Sequence, residues 1–133
     1  MINVGIIGYG KMGKIRHDVA NAIDGVNVVS IYDSSVVKAE IKIEKSADDI
    51  INNSEIDAVF ICTPNYLNKP LTIASLQAGK HVFCEKPPAF TSKDVEEICK
   101  VEKDSRKVLM YGFNHRHHSS IKHMKKIVDD KTF

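Results

Sequence analysis

Residues 4–13 read "VGIIGYGKMG", an apolar run that breaks into three glycines with the spacing G-x-G-x-x-G. Such a triplet recurs by chance, so its surroundings decide what it means. The stretch before it, Asn3 to Ile7, reads as a buried strand. The stretch after it, Met12 to Ile23, places Ile15, Val19, Ala22 and Ile23 at helical spacing. A second apolar run, Val26 to Tyr32, ends in Asp33, about 20 residues beyond Gly13. Strand, glycine turn, helix, strand and terminal acid in that order make up the dinucleotide-binding fingerprint.

Each residue type in the fingerprint has a physical task. Gly8 permits the tight turn, Gly10 lets backbone approach a pyrophosphate without a Cβ in the way, and Gly13 allows close packing of helix on strand. The helix start offers free N–H groups and a positive dipole end to phosphates. Tyr9, Lys11 and Met12 lie within this turn and are expected to face the cofactor with the three glycines. Asp33 is expected to accept hydrogen bonds from ribose hydroxyls and to repel a 2′-phosphate, which favours NAD over NADP. Ser34 and Ser35 follow it in place of an arginine, and Lys38 is a distant candidate for a phosphate. The competing reading makes the glycines a purely structural turn and Asp33 a strand-end cap.

Outward from this unit the chain keeps alternating apolar β-type runs with helical patterns, the signature of βαβ units and a doubly wound parallel sheet. Ser34 to Ala39 allows at most a short helix. Glu40 to Lys45 alternates charged and apolar residues as an edge strand does, with Lys42 and Lys45 discouraging further pairing. Ser46 and Asp49 have capping-box spacing and start a helix through Asn53. Ala58 to Cys62 is the next strand, ended by Thr63, Pro64 and Asn65. A helix through Ala78 stops at Gly79, and His81 to Cys84 is the fifth strand. Thr91 and Asp94 offer a second capping box for a helix carrying Val95, Ile98 and Val101. Val108 to Phe113 is the sixth strand. A last helix is expected around Ile121, Met124, Ile127 and Val128.

Composition narrows the classes. A chain of 133 residues, 43% hydrophobic and 27% charged, can bury one ordinary core. The net charge of +2 with interspersed signs argues against nucleic-acid or anionic-membrane partners. No stretch approaches the roughly 18 apolar residues of a membrane span, and no charged leader precedes the first strand, so the cytoplasm is the expected compartment. Cys62, Cys84 and Cys99 are odd in number and read as free, space-filling thiols.

Three segments together resemble the oxidoreductase family named for glucose-fructose oxidoreductase and inositol dehydrogenase (Gfo/Idh/MocA). They are "VGIIGYGKMGKIRH" (4–17), "IDAVFICTPNYLNKPLTIASLQAGKHVFCEKPPAFT" (56–91) and "GFNHRHH" (112–118). The resemblance implies a three-layer α-β-α Rossmann half over residues 1–118. Residues 119–133 would begin the connection to a larger α/β domain that binds a sugar-like substrate and mediates homo-oligomerisation, a domain absent here.

The resemblance also assigns roles. Lys86, just beyond the fifth strand, is the expected catalytic residue, contacting both nicotinamide and the hydroxyl that is oxidised. A free lysine is a poor base at neutral pH, and in relatives a histidine or aspartate of the second domain more often takes the proton. Glu85 is expected beside the cofactor as a partner that fixes the lysine or its loop, and the Lys86–Pro87 bond is expected to be cis. Thr63, Pro64 and Asn65 line the passage of the nicotinamide ribose. Asn114 and Arg116 approach the substrate, Arg116 as a clamp for an anionic or hydroxylated group. His17 fits a family position but suits a helix surface equally. Two features depart from the family: Asn68 stands where relatives carry histidine, and the stretch after Asp33 is short.

The rival signals are weaker. Residues 114–123, "NHRHHSSIKH", hold four histidines, but their spacing completes no known metal arrangement, so no metal is expected. Lys122, Lys125 and Lys126 read as a solvated helix face. The leading expectation is therefore the NAD-binding half of an oxidoreductase acting on a sugar, cyclitol or nucleotide-sugar hydroxyl. The alternatives are a non-catalytic dinucleotide-binding module and an NAD-dependent glycoside hydrolase working through transient oxidation.

Overall fold

The computed structural model describes residues 1–35 and 38–131. Six strands form one sheet in the order β3-β2-β1-β4-β5-β6, and every neighbouring pair is parallel. The strands are β1 (Ile2–Ile7), β2 (Val26–Tyr32), β3 (Lys42–Ile43), β4 (Ala58–Ile61), β5 (His81–Cys84) and β6 (Leu109–Tyr111). Between and after them lie α1 (Lys11–Asn21), α2 (Ala47–Ile51), α3 (Asn65–Gln77), α4 (Ser92–Ser105) and α5 (Ser119–Asp129), with a single 3₁₀ turn over Asn114–His117.

Alternation along the strands sorts the apolar side chains into two cores. Ile7, Val59, Ile61, Val82 and Cys84 point to the face where Ile50 and Ile51 of α2 and Leu76 of α3 pack. Val4, Ile6, Val28, Ile31 and Ala58 point the other way, toward Ala20 of α1. Burial on both faces is what makes these strands continuous apolar runs in the sequence. Gly5 sits between the layers for a steric reason: a Cβ there would lie 2.5 Å from Ile50 Cγ2 and 2.8 Å from Ile56 Cδ1, so its absence lets α2 settle onto β1.

The helix starts follow two patterns. At α2 the expected capping box forms in full, with Asp49 N–H donating to Ser46 Oγ and Ser46 N–H to Asp49 Oδ2. At α4 only half of it forms: Asp94 N–H donates to Thr91 Oγ1, but the Asp94 carboxylate takes the Thr91 hydroxyl and Lys69 Nζ instead of a backbone donor. The lysine of α3 competes for the acid, because a charge-assisted bond is the stronger one. By contrast α1 begins at Gly10 and α3 at Pro64, and neither has a side-chain cap.

Gly79 ends α3 at φ +76° and Arg106 ends α4 in the left-handed region at φ 55°. The expected edge strand over Glu40–Lys45 contracts to Lys42–Ile43, held by a β2 register of two residues and by Glu44 N–H donating to Ile31 O. The short helix considered over Ser34–Ala39 falls partly on Val36 and Val37, outside the described residues. No residue of α5 is buried.

Candidate active site

Strand order reverses between β1 and β4, and the crevice beyond the carboxyl ends of strands at such a reversal is where open α/β sheets bind ligands. Two clefts open along this edge. One, of about 420 Å³, is lined by Gly8, Gly10, Asp33, Pro64, Tyr66 and Leu71 among others. The second, of about 850 Å³, is lined by Met12, Asn65, Glu85, Lys86, Asn114 and Arg116 among others. Cys62 and Thr63 line both, so the clefts meet at the end of β4.

The glycine turn is built by contacts that a side chain would destroy. Gly8 has φ +92°, and a Cβ on it would sit 2.5 Å from Cys62 O. A Cβ on Gly13 would sit 2.1 Å from Gly8 O, so this glycine lets α1 close onto the turn at the end of β1. Around Gly10 nothing lies within 4 Å of the added Cβ. That space opens on the smaller cleft, and the first turn of α1 behind it has no side-chain cap and no acidic residue. A pyrophosphate fits these conditions, which combine open backbone, uncapped amides and a positive dipole end.

Asp33 joins the turn to β2. Its Oδ2 accepts Tyr9 N–H at 2.6 Å and its Oδ1 accepts Ser35 N–H at 2.8 Å. It is thus a strand-end cap in fact, and each carboxylate oxygen keeps capacity to accept from a ribose hydroxyl. The Tyr9 hydroxyl is hydrogen-bonded to His17 Nδ1. Burial, then the charge of Asp18, pushes the Tyr9 phenol up from its ordinary value. His17 is therefore committed to Tyr9 on the first helix.

On the larger cleft, Lys86 is exposed and its neighbours are fixed from several directions. The Lys86–Pro87 bond is cis. Asn68 of α3, fully buried, donates from Nδ2 to Glu85 O at 3.0 Å and Pro87 O at 2.8 Å, on either side of Lys86. Thr63 Oγ1 donates to Asn68 Oδ1 at 3.4 Å. The residue read as a departure from the histidine of relatives is thus the link between the loop after β4 and the loop after β5. Glu85 is also buried, and its carboxylate accepts from Arg16 Nε at 2.7 Å. Glu85 therefore fixes the loop to α1.

Asn114 Oδ1 accepts from Arg16 Nη2 at 3.4 Å, while Arg116 is exposed and lines the cleft. The rings of His115 and His118 stack at 5.3 Å. Burial pushes the thiols of Cys62 and Cys84 up to about 12, which leaves them as space-filling groups. Lys11, Met12, Pro64 and Asn65 fall at the starts of α1 and α3, beside the clefts.

Arg16 is a participant that the sequence did not announce, and Asn68, marked in the sequence only as a departure from the family's histidine, has a role it did not announce. For Arg16 a signal exists: it stands one turn from both Gly13 and Ala20 on α1, so a charge falls in line with buried positions and needs a partner. For Asn68 the signal is a buried amide position in a helix otherwise packed on the sheet, which becomes meaningful only once the loop carbonyls are located.

Comparison with known proteins agrees with this geometry. A family model described as "Oxidoreductase family, NAD-binding Rossmann fold" (Gfo/Idh/MocA) matches residues 2–113. Inositol 2-dehydrogenase of Salmonella typhimurium is 30% identical over 139 aligned residues, which cover 96% of this chain and 41% of that enzyme. An NAD-binding protein from Listeria innocua superposes with a TM-score of 0.87 at 35% identity, covering 98% of this chain and 41% of that one. Biliverdin reductase from Synechocystis, solved with biliverdin and NADP⁺, superposes with a TM-score of 0.86 at 26% identity, covering 96% and 43%. The chain therefore spans about two fifths of the length of the relatives it matches. With the glycine turn, the switch-point clefts and the family match in agreement, the chain belongs to the Gfo/Idh/MocA oxidoreductase family and forms its NAD-binding Rossmann fold.

Proposed function

We propose that this chain is the dinucleotide-binding half of an oxidoreductase that moves hydride between a nicotinamide cofactor and a hydroxyl of a sugar, cyclitol or nucleotide sugar. The observation that carries this reading is the continuity of the two clefts through Cys62 and Thr63, with the glycine turn and Asp33 on one and Lys86 on the other. A dinucleotide has that division into an adenosine end and a reactive end.

When bound, the nicotinamide supplies the hydride acceptor or donor. The chain's own residues bind and orient. Gly8, Tyr9, Gly10 and Gly13 shape the turn, the free amides of Lys11 and Met12 receive the pyrophosphate, and Thr63, Pro64 and Asn65 border the ribose between the clefts. Lys86 would hold the substrate hydroxyl by donating to its oxygen, which favours transfer of the hydroxyl proton to a histidine or aspartate of the second domain. Asn114 and Arg116 meet the remaining substrate oxygens. Residues 1–118 serve as the dinucleotide domain and residues 119–133 begin a connection, a reading supported by the absence of any buried residue in α5.

NAD is the favoured cofactor. One structural neighbour carries NADP⁺, so the fold admits either, and the choice rests on the Asp33 carboxylate in a cleft whose lining contains no arginine.

The test is a fluorescence titration with NADH and NADPH, followed by NAD reduction assays with cyclitols, sugars and nucleotide sugars on a polypeptide extended by the family's second domain. Lys86→Met is expected to remove turnover while leaving NADH affinity within about threefold. Absence of NADH binding to the unmodified chain overturns the reading. Exposure of Lys86 favours one alternative, a binding module that does no chemistry; tight NADH binding with no turnover on any substrate would support it.

A further inference from the structure

Glu85 is the carboxylate among the described residues lining the larger cleft, which joins the smaller one where an anionic dinucleotide would lie. An unpaired carboxylate there would repel the dinucleotide. We propose that Arg16 is a positioning residue of this site: it takes up the Glu85 charge and holds it against the wall, leaving Lys86 and Arg116 as the charges the ligand meets. This rests on the reading of the cleft as a dinucleotide site.

The geometry is that of a built socket. Glu85 Oε1 accepts from both Arg16 Nε, at 2.7 Å, and Arg16 Nη2, at 2.5 Å. Its other oxygen lies against Gly112, where an added Cβ would come within 2.8 Å of Oε2. Gly112 thus leaves the space that the carboxylate needs at the end of β6. The guanidinium is fixed in turn, with Cζ 4.8 Å from the centroid of the Phe83 ring and Nη2 3.4 Å from Asn114 Oδ1. Both charged side chains are mostly buried, at 16% and 11% exposure, where screening by water and salt is weak. Three segments distant in sequence, on α1, after β5 and after β6, therefore meet on one charge.

A lysine cannot reproduce this arrangement, because one ammonium lacks the planar fork that bonds Glu85, reaches Asn114 and stacks on Phe83 together. A merely structural role for Arg16 and a charge-positioning role make opposite predictions for a double variant. If Arg16 acts by neutralising Glu85, removing both charges restores the site. If Arg16 acts only through its contacts with Phe83 and Asn114, both variants lose them and removing both charges is at least as harmful as removing one.

The experiment is a set of NADH titrations on the 133-residue chain, comparing the unmodified protein with Arg16→Met, Glu85→Gln and the double variant. Arg16→Met is expected to weaken NADH binding about tenfold, from an uncompensated negative charge in a partly buried cleft wall. Glu85→Gln alone changes it by less than about threefold, and the double variant returns to within about threefold of the unmodified chain. Equal binding by Arg16→Met and the unmodified chain, or a double variant as weak as Arg16→Met, overturns the proposal. Should Arg16→Met unfold, as its thermal transition would reveal, the comparison of Arg16→Gln with Arg16→Gln/Glu85→Gln decides on the same criterion, since glutamine removes the charge but keeps a donor. Failure of the unmodified chain to bind NADH brings down the site reading itself, a result separate from either of these.

Discussion

Gly10 and Gly13 stand three residues apart and answer to different constraints. A Cβ at Gly13 collides with the Gly8 carbonyl, whereas at Gly10 it enters open space. Gly13→Ala is expected to lower unfolding free energy by about 1–3 kcal/mol, the usual cost of overpacking, and to spoil the turn. Gly10→Ala is expected to cost less than about 1 kcal/mol in denaturant unfolding, yet to weaken NADH binding by about tenfold because its methyl occupies the phosphate approach. Equal effects on both properties in both variants would contradict the separation. Asn68→Leu keeps the branched shape but removes the donors to Glu85 O and Pro87 O. Pro87 O then loses its donor and Glu85 O keeps only the Cys84 thiol at 3.4 Å, which predicts a loss of about 1–3 kcal/mol by the same measurement. The glycines were legible in the sequence because their spacing encodes their tasks. Asn68 was not, since its partners are backbone atoms 17 and 19 residues away.

Between elements, the α3–α4 contact is pinned at its exposed edge. Lys69 Nζ lies 2.6 Å from Asp94 Oδ1 and 2.6 Å from Glu97 Oε2. The hydrogen bond from Lys69, then that from the Thr91 hydroxyl, holds the Asp94 carboxyl below the usual carboxylate value. A folded-state value below the unfolded one means that the unfolded chain binds the proton first as pH falls. The stabilisation is therefore full above the ordinary carboxylate range and is lost as pH drops through the folded value. Thermal unfolding followed down through that range is expected to fall less steeply in Lys69→Met and Asp94→Asn than in the unmodified chain; identical pH profiles would refute it. Element existence was readable along nearly the whole chain, since caps and terminal glycines mark it. The extent of β3 was not, because an alternating pattern states which face is buried and not how many residues find a partner.

For the molecule as a whole, ligand binding and stability are linked. A ligand that binds only the folded chain at about 100 times its dissociation constant stabilises it by about 2.7 kcal/mol. NAD is accordingly expected to raise the melting temperature of this domain, and NADP at equal concentration to raise it less, because Asp33 meets the 2′-phosphate. A larger shift with NADP, read by scanning fluorimetry, would reverse the cofactor assignment. The chain by itself determined the sheet and the glycine turn with Asp33 beside it, since hydrophobic period, glycine spacing and a strand-end acid are local signals. Tertiary structure alone decided that Arg16 would hold Glu85, that Asn68 would bridge to the loop around Lys86, and that Gly112 would leave room for a carboxylate. Those contacts join positions 17 to 98 residues apart, and only the packing of a parallel sheet brings such positions to one edge.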